Sequence, residues 1–241
     1  MKRDVLLEYF IAERQGIQQQ LYKQKKGPKS YGRFEAIALP KPRPLSQALS
    51  DALFYRESVR DYDRGAYITL EQISDLLYWS VGILEPASSS RPERRVHPSG
   101  GAKFPLELYL VILKEGTVKR GVYHYHLANH TLEHLEPIDL DQLLAQFEEH
   151  EQFALAGELI ILFSFCKERS FQKYNALAYK VAFLEAGHIS QNLYLASRAI
   201  GLGCCGMGMN NGILKSEYLS LDPLLEPIFY GVAVGIPRRD P

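Results

Sequence analysis

Three places in the chain combine residue types and spacing that could do chemistry. The first is Arg56-Glu57-Ser58-Val59-Arg60. Alternate side chains of an extended segment point the same way, so Arg56, Ser58 and Arg60 could bring two guanidinium forks and a hydroxyl to one phosphate. A plain surface charge cluster would have the same composition. The second is GLGCCGMGMNNG, residues 201–212, read as a glycine-rich turn. Closely spaced glycines there would let backbone N–H groups approach a flat or anionic ligand. The third is the pair Lys173 and Tyr174, at the entrance of a long apolar helix whose middle carries Glu185, His188, Gln191 and Asn192. A lysine facing the positive end of a helix dipole is mildly unfavourable, a small argument for a functional reason.

Two other groupings invite chemistry less strongly. His124, His126, His130 and His134 include an HxH pair that would share one face of a strand. No carboxylate or cysteine is expected to complete a shell around them, and alternating Tyr and His suit a half-exposed strand, so no metal is expected. The adjacent Cys204 and Cys205 would close a strained ring and lack the CxxC spacing, so they read as small buried hydrophobes. Neither a GxGxxG after a strand nor a GxxxxGK[ST] occurs, which removes the Rossmann and P-loop readings.

The positioning elements follow from periodicity. A helix is predicted over Ala178–Ile200, free of proline, with an apolar stripe of Val181, Leu184, Ile189, Leu193, Ala196 and Ile200 and a stop at Gly201. Ala178, Ala182, Ala186 and Ser190, four apart, form a smooth ridge on which another helix could approach closely, here taken as a dimer seam. Residues 4–26 read as an amphipathic helix ending in the solvated basic cluster Lys23, Lys25 and Lys26, and residues 30–44 as an extended, proline-rich linker. Helices are predicted over Leu45–Tyr55 and Leu70–Val81, the latter capped by Thr69. Residues 88–105 read as a loop. Strands are predicted over 106–113, 158–165 and 227–237, with a hairpin turning near Asn129. Helices and strands intermix without βαβ spacing, so the class is α+β.

Composition closes off other functions. The 241 residues allow one large domain or two small ones, and 46% hydrophobic content supplies a core. With 28 basic and 28 acidic residues the formal charge is zero, so nothing global points to nucleic acid or an anionic membrane. Locally, ten Lys or Arg against four Asp or Glu leave +6 over residues 1–44. Three cysteines suit a reducing compartment, no apolar run approaches the ~20 residues of a membrane span, and the N-terminus is too charged for a secretory signal. The expected location is cytoplasmic.

In order along the chain, RxSxR at 56–60, RVHPSGGAKFPLELYLV at 95–111, Lys173-Tyr174, LEAGHISQNLYLA at 184–196 and GLG at 201–203 resemble the nitroreductase superfamily. Within it the chain is similar to the azoline dehydrogenases, FMN-dependent oxidases that work with cyclodehydratases on ribosomally made peptides. The resemblance covers about residues 39–237 and leaves 1–38 as an N-terminal arm and linker beside an FMN-binding domain at 39–241.

The resemblance implies an antiparallel-rich mixed sheet flanked by helices and a homodimer that buries the long helix between two FMN sites. Arg56 and Ser58 would hold the phosphate and Arg60 the pyrimidine side of the flavin. Pro98, Ser99 and Gly100 would come from the partner subunit, and the backbone of Gly206, Met207 and Gly208 would face the ring near N5. Arg238 is the C-terminal candidate for the phosphate. Lys173 and Tyr174 match a catalytic pair: a base removes a ring proton from a thiazoline or oxazoline, hydride passes to N5, and oxygen reoxidises the flavin. Ala102 stands where ordinary nitroreductases carry asparagine, which disfavours a plain nitro or quinone reductase, and Lys180 stands where the azoline branch often has arginine. The alternatives are an NAD(P)H-dependent reductase of small electrophiles and a flavin-fold scaffold without chemistry.

Overall fold

Two uninterrupted apolar runs, Leu106–Ile112 and Leu159–Phe165, pair antiparallel at the centre of the molecule, every residue of both buried. Strands buried on both faces need no alternation, which is why these read as continuous hydrophobic stretches. The computed structural model describes residues 29–238, so the helix expected over 4–26 lies outside the described residues. The elements are β1 (Ala36–Ala38), α1 (Leu49–Tyr55), α2 (Leu70–Val81), β2 (Ile83–Glu85), β3 (Arg94–Arg95), β4 (Leu106–Ile112), β5 (Gly121–His126), β6 (Thr131–His134), α3 (Leu140–Leu144), β7 (Leu159–Phe165), α4 (Phe171–Tyr174), α5 (Leu177–Ala199), β8 (Gly203–Gly208), α6 (Gly212–Tyr218) and β9 (Ile228–Gly235).

Seven strands form one sheet in the order β1-β6-β5-β4-β7-β9-β8. Its ladders are antiparallel, and a parallel bridge from Ser58 to Cys204 is added at the β8 edge. Leu106, Leu108, Leu110 and Ile112 face a core shared with α2 and α5. Tyr109 and Val111 face a second core with Leu140 and Leu143 of α3. The α+β class and the helix-flanked sheet are as expected.

The long helix starts at Leu177 and ends at Ala199, and Gly201 follows at φ 79°, the left-handed region that suits glycine after a helix. The small-residue ridge does not serve a second subunit. Ala178, Ala182 and Ala186 are buried in the chain's own core together with Leu76 and Leu77 of α2. Leu184, expected on the buried stripe, is instead 65% exposed, and Leu177 is 51% exposed. Helix α2 keeps its predicted bounds, with Thr69 and Gln72 exchanging capping-box bonds. Helix α1 is shorter than expected, starting after the uncapped Ala48.

Three segments depart from the reading by pattern, one of them residues 88–105, read as a loop, which hold the two-residue β3 paired with β2. The proline-rich stretch contains β1, which pairs with β6 from Ala36 to Ala38; three residues are too few to show alternation. The glycine-rich turn is largely a strand, β8, at the sheet edge beside β9. Glycine weakens a strand, yet it is needed here: a Cβ on Gly203 would lie 2.7 Å from Val59 Cβ.

On the face of the sheet away from α5, His124 bridges two carboxylates, Glu107 at 2.9 Å and Glu133 at 2.8 Å. Carboxylates therefore do accompany these histidines, contrary to the expectation. They come from flanking strands, and Arg169 and the backbone of Lys29 also bond Glu107. Among the described residues no group of three metal-ligating side chains is placed to hold an ion. The cysteines Cys166, Cys204 and Cys205 are free and buried.

Candidate active site

Helix α5 carries the singled-out residues in two groups, one toward each end. Toward its C-terminal end, Tyr194 is the hub. Its hydroxyl accepts the N–H of Gly206 at 2.8 Å and lies 3.1 Å from Ser58 Oγ, while the Arg56 guanidinium stands 5.4 Å from its ring centroid. Arg56 and Ser58 thus reach one neighbour, as alternation in an extended segment requires. Arg60 goes further along, 5.7 Å from the ring centroid of Phe153. The segment is held beside β8 by the bond from Val59 N–H to the carbonyl of Cys204, 3.0 Å.

Beneath Gly206, Ser190 of α5 and Tyr230 of β9 share a hydrogen bond of 3.0 Å. Gly208 is exposed, and a Cβ built on it would meet nothing within 4 Å. Met207, between them, turns its side chain into the second core, so only its backbone is available to a ligand. Behind this segment a cleft of about 570 Å³ opens between Glu57, Val59, Tyr194, Arg198 and the backbone of residues 201–204. Arg238 lines its mouth, exposed, with a guanidinium nitrogen 3.9 Å from Asp61.

Toward the N-terminal end of α5, the loop of Pro98, Ser99 and Gly100 lies on the chain's own helix. Ser99 Oγ donates to the carboxylate of Glu185, and His97 Nε2 is 3.3 Å from its other oxygen. Ser99 Oγ also accepts the N–H of Phe104 at 2.9 Å. Gly101 follows at φ 59°, and a Cβ there would lie 2.5 Å from the Tyr174 hydroxyl and 2.6 Å from Lys173 Nζ. Lys173 and Tyr174 therefore rest directly on this glycine. Lys173 is exposed and Tyr174 half-buried. Both belong to the short helix α4, which Asn175, at φ 48°, separates from α5. Lys173 sits in the last turn of α4, so the dipole cost expected for a lysine at a helix start does not arise.

The two groups are well separated within one chain. Ser99 and Gly100 meet α5 at Glu185 and Val181, whereas Arg56, Ser58 and Gly206 meet it at Tyr194. Nine to thirteen residues of helix between those contacts span about 14–20 Å. Sequence reasoning singled out Glu185 as a polar interruption but missed Tyr194, His97 and Tyr230. A tyrosine in an apolar stripe gives no signal that its hydroxyl will be used.

Electrostatically the ends differ. Among the described residues neither Arg56, over Tyr194, nor Arg60, over Phe153, has a carboxylate partner, and the backbone at Gly208 is open. Cys204, under the same segment, is pushed by burial up to about 12 and stays a thiol. Tyr230 is likewise held above its ordinary value by burial. The two arginines and the glycine backbone fit a phosphate joined to a flat ring, and FMN is such a group.

An antiparallel sheet flanked by helices is an α+β architecture, and here one long helix has Arg56, without a carboxylate partner, near one end and a Lys-Tyr pair on a glycine loop near the other. The nitroreductase family profile matches residues 53–236, and the chain belongs to that family. A nitroreductase-assigned protein of Methanocaldococcus jannaschii, MJ1384, is 28% identical over 160 residues, 66% of this chain and 78% of that one. The trifolitoxin-processing protein TfxB of Rhizobium leguminosarum bv. trifolii is 32% identical over 55% of this chain. The microcin B17-processing protein McbC of Escherichia coli is 28% identical over 56%. Those matches span 37% of TfxB and 50% of McbC.

Among solved structures, a nitroreductase-type protein of Ralstonia eutropha JMP134 superimposes with a TM-score of 0.70 at 24% identity, covering 91% of this chain and 99% of that one. The E. coli microcin synthetase McbBCD complex, with truncated pro-MccB17 bound, contains a chain that matches at 0.65 and 22%, covering 83% and 77%. A Desulfovibrio desulfuricans protein solved with FMN matches at 0.56 and 19%, covering 81% and 93%. These likenesses show the fold. Among the described residues no helix is long and apolar enough to cross a membrane.

Proposed function

We propose that the protein is an FMN-dependent oxidoreductase that dehydrogenates azoline rings to azoles on a ribosomally made peptide. The observation that carries this reading is the Lys173-Tyr174 pair seated on Gly101, next to Pro98, Ser99 and Gly100. Two relatives named for processing trifolitoxin and microcin B17 support a peptide substrate over a small electrophile.

Arg56 and Ser58 bind the phosphate, with Arg238 at the mouth of the adjoining cleft, and Arg60 reaches the pyrimidine side. The backbone of Gly206, Met207 and Gly208 lines the ring. When bound, FMN supplies the hydride acceptor. Lys173 Nζ takes the ring proton, and the Tyr174 hydroxyl orients the heterocycle. Dehydrogenation removes one hydride and one proton, and oxygen is the terminal acceptor.

The two halves of this site stand about 14–20 Å apart along one helix, and a second copy would close the gap. Leu177 and Leu184 of α5 and Leu49, Leu53 and Phe54 of α1 are exposed, and two copies would pair through apolar side chains such as these. Pro98, Ser99, Gly100, Lys173 and Tyr174 of one copy would then complete the Arg56 half of the other. A cyclodehydratase is the expected partner, by likeness to a chain of the McbBCD complex. Three free cysteines suit the cytoplasm.

The test is direct. Purified protein should carry flavin colour, run as a dimer, and remove one H2 per ring from an azoline peptide, read by mass spectrometry. Protein that stays colourless with added FMN overturns the cofactor. Coloured protein that leaves azolines untouched but oxidises NAD(P)H with a quinone is a reductase of the other kind.

A further inference from the structure

Glu185 is an unusual residue for the middle of a buried helix face. It is 1% exposed, lies on α5 among Ala182, Ala186 and Ile189, and has no lysine or arginine bonded to it in the described structure. A buried carboxylate is costly unless its oxygens are satisfied. Here each oxygen has one bond: Ser99 Oγ–H donates to one, and His97, itself 3% exposed, meets the other at 3.3 Å. Both partners belong to the segment that carries the Pro98-Ser99-Gly100 loop.

The loop is shaped by contacts on two sides. On one side Ser99 is pinned by Glu185, and Gly100 is packed so closely on Val181 that a Cβ would collide with it. Ser99 Oγ in turn takes the Phe104 N–H, closing the loop on itself. On the other side Gly101 is the floor for Lys173 Nζ and Tyr174 Oη. Gly101, Ala102 and Phe104 all take left-handed backbone angles, φ 59°, 50° and 45°. Such a backbone is held by its surroundings rather than by its own preference.

We propose that Glu185 is a positioning residue: by holding Ser99 and His97 it fixes the loop on which Lys173 and Tyr174 rest, so that the cofactor-facing loop and the Lys-Tyr pair move as one unit. This rests on the proposed site, and it adds the residue that joins its two parts. The role is geometric. Glutamine has the same shape, with an oxygen for the Ser99 hydroxyl and an amide N–H for His97 Nε2 once that ring carries its proton on Nδ1, which has no other partner, and so replaces it; leucine fills the space and makes neither bond.

The experiment compares wild type, Glu185→Gln, Glu185→Leu and Ser99→Ala by hydrogen exchange in the apoprotein and by visible circular dichroism of bound FMN. Exchange over residues 97–104 and 173–175 should rise on the order of tenfold in Glu185→Leu and in Ser99→Ala. Strands β4 and β7 should stay protected, and Glu185→Gln should match wild type. The flavin dichroism should change in the leucine variant and return with glutamine. Unchanged loop exchange in both Glu185→Leu and Ser99→Ala overturns the proposal, as does loosening of β4 and β7 to the same degree, or a glutamine variant that behaves like leucine. Should Glu185→Leu fail to fold, Ser99→Ala, which deletes only the pinned hydroxyl, decides alone. A wild type that binds no FMN removes the functional reading, while the exchange data still judge the loop.

Discussion

The protein buries a histidine beside carboxylate on each face of its sheet, and the two are built differently. On the face away from α5, both ring nitrogens of His124 are bonded, Glu107 also receives Arg169, and Glu133 also receives Ser30 and the Tyr31 N–H. Tyr109 and Ser164 extend the cluster to Glu226, which pairs with Lys29 at 2.6 Å. On the α5 face, His97 leaves Nδ1 without a partner and Glu185 has a hydroxyl and a ring nitrogen in place of a cation. A network in which the carboxylates and both ring nitrogens are bonded, with Arg169 Nε alone left over, ties strands together and has little to offer a ligand. The sparser one sits under a glycine loop with an exposed lysine above it, where chemistry needs an unspent group.

The sharpest way to break this contrast is to remove a charge from the saturated side. Glu107→Ala takes one acceptor from His124, which keeps Glu133, and leaves the buried Arg169 with the Phe104 carbonyl but no carboxylate, and should cost about 3–5 kcal/mol in urea unfolding. Any flavin spectrum should persist in the fraction that stays folded. A loss under about 1 kcal/mol would mean the network is wetter than its burial implies.

Lys173→Ala should do the opposite. Turnover of an azoline peptide should fall roughly a hundredfold or more, while the unfolding midpoint stays within about 0.5 kcal/mol of wild type and flavin content is unchanged. Wild-type turnover would move the proton to Tyr174, to His188 or to water. Arg56→Ala tests the far end of α5. Losing one charge-assisted contact should weaken FMN binding about tenfold to a hundredfold, read by fluorescence titration, and leave the stability of the apoprotein nearly unchanged. Unaltered affinity would take Arg56 out of the site.

Acid and base should unlatch the saturated side in opposite ways. Burial pulls His124 toward neutrality, but its hydrogen bonds to Glu107 and Glu133 outweigh that and hold it above its ordinary value of 6.5. Its contribution is full below 6.5 and is lost as pH rises through its folded value. Burial pushes Glu107 and Glu133 upward; the Arg169 charge on Glu107 and the His124 bond on both hold them below the ordinary 4.5. Their contribution is present above 4.5 and fades as pH falls through their folded values. Stability should therefore be greatest between 4.5 and 6.5 and decline on either side. His124→Gln should flatten the alkaline limb; an unchanged limb would assign it to another group.

How much of this could be read beforehand follows from the range of the interactions. Helix α2 and the α5 stop at Gly201 were legible because caps and apolar spacing are local. So were β4 and β7, whose burial on both faces leaves an unbroken apolar run. Strand β8 was not, because its glycines signal a turn and only Val59 and Tyr230, distant in sequence, require them. The ridge of Ala178, Ala182 and Ala186 correctly marked close packing but could not say whose surface approaches it. Arg56 with Ser58 was legible as a pair from alternation. Tyr194, to which both turn, and Glu185 with Ser99, 86 positions apart, exist as partners only once the sheet is folded.

The smallest expected effect concerns one backbone angle. Ala102 holds φ 50° in the loop that Glu185 pins. A left-handed conformation costs a residue with a Cβ roughly 1–2 kcal/mol, and glycine escapes that cost. Glycine also gives the unfolded chain more freedom, which returns about 0.4–1 kcal/mol of the gain. Ala102→Gly should therefore stabilise the protein slightly, by about 0.5–1 kcal/mol in denaturant midpoint, and Ala102→Asn should be close to neutral because asparagine tolerates this region. Replacement by valine, whose branched side chain does not, should destabilise by about 1 kcal/mol or more. Turnover separates the two roles the loop could have. If Glu185 and Ser99 alone set its shape, Ala102→Gly keeps full activity while gaining stability. If the alanine methyl also stiffens the floor under Lys173, activity drops although the fold is firmer, and the pinning of the loop has two sources.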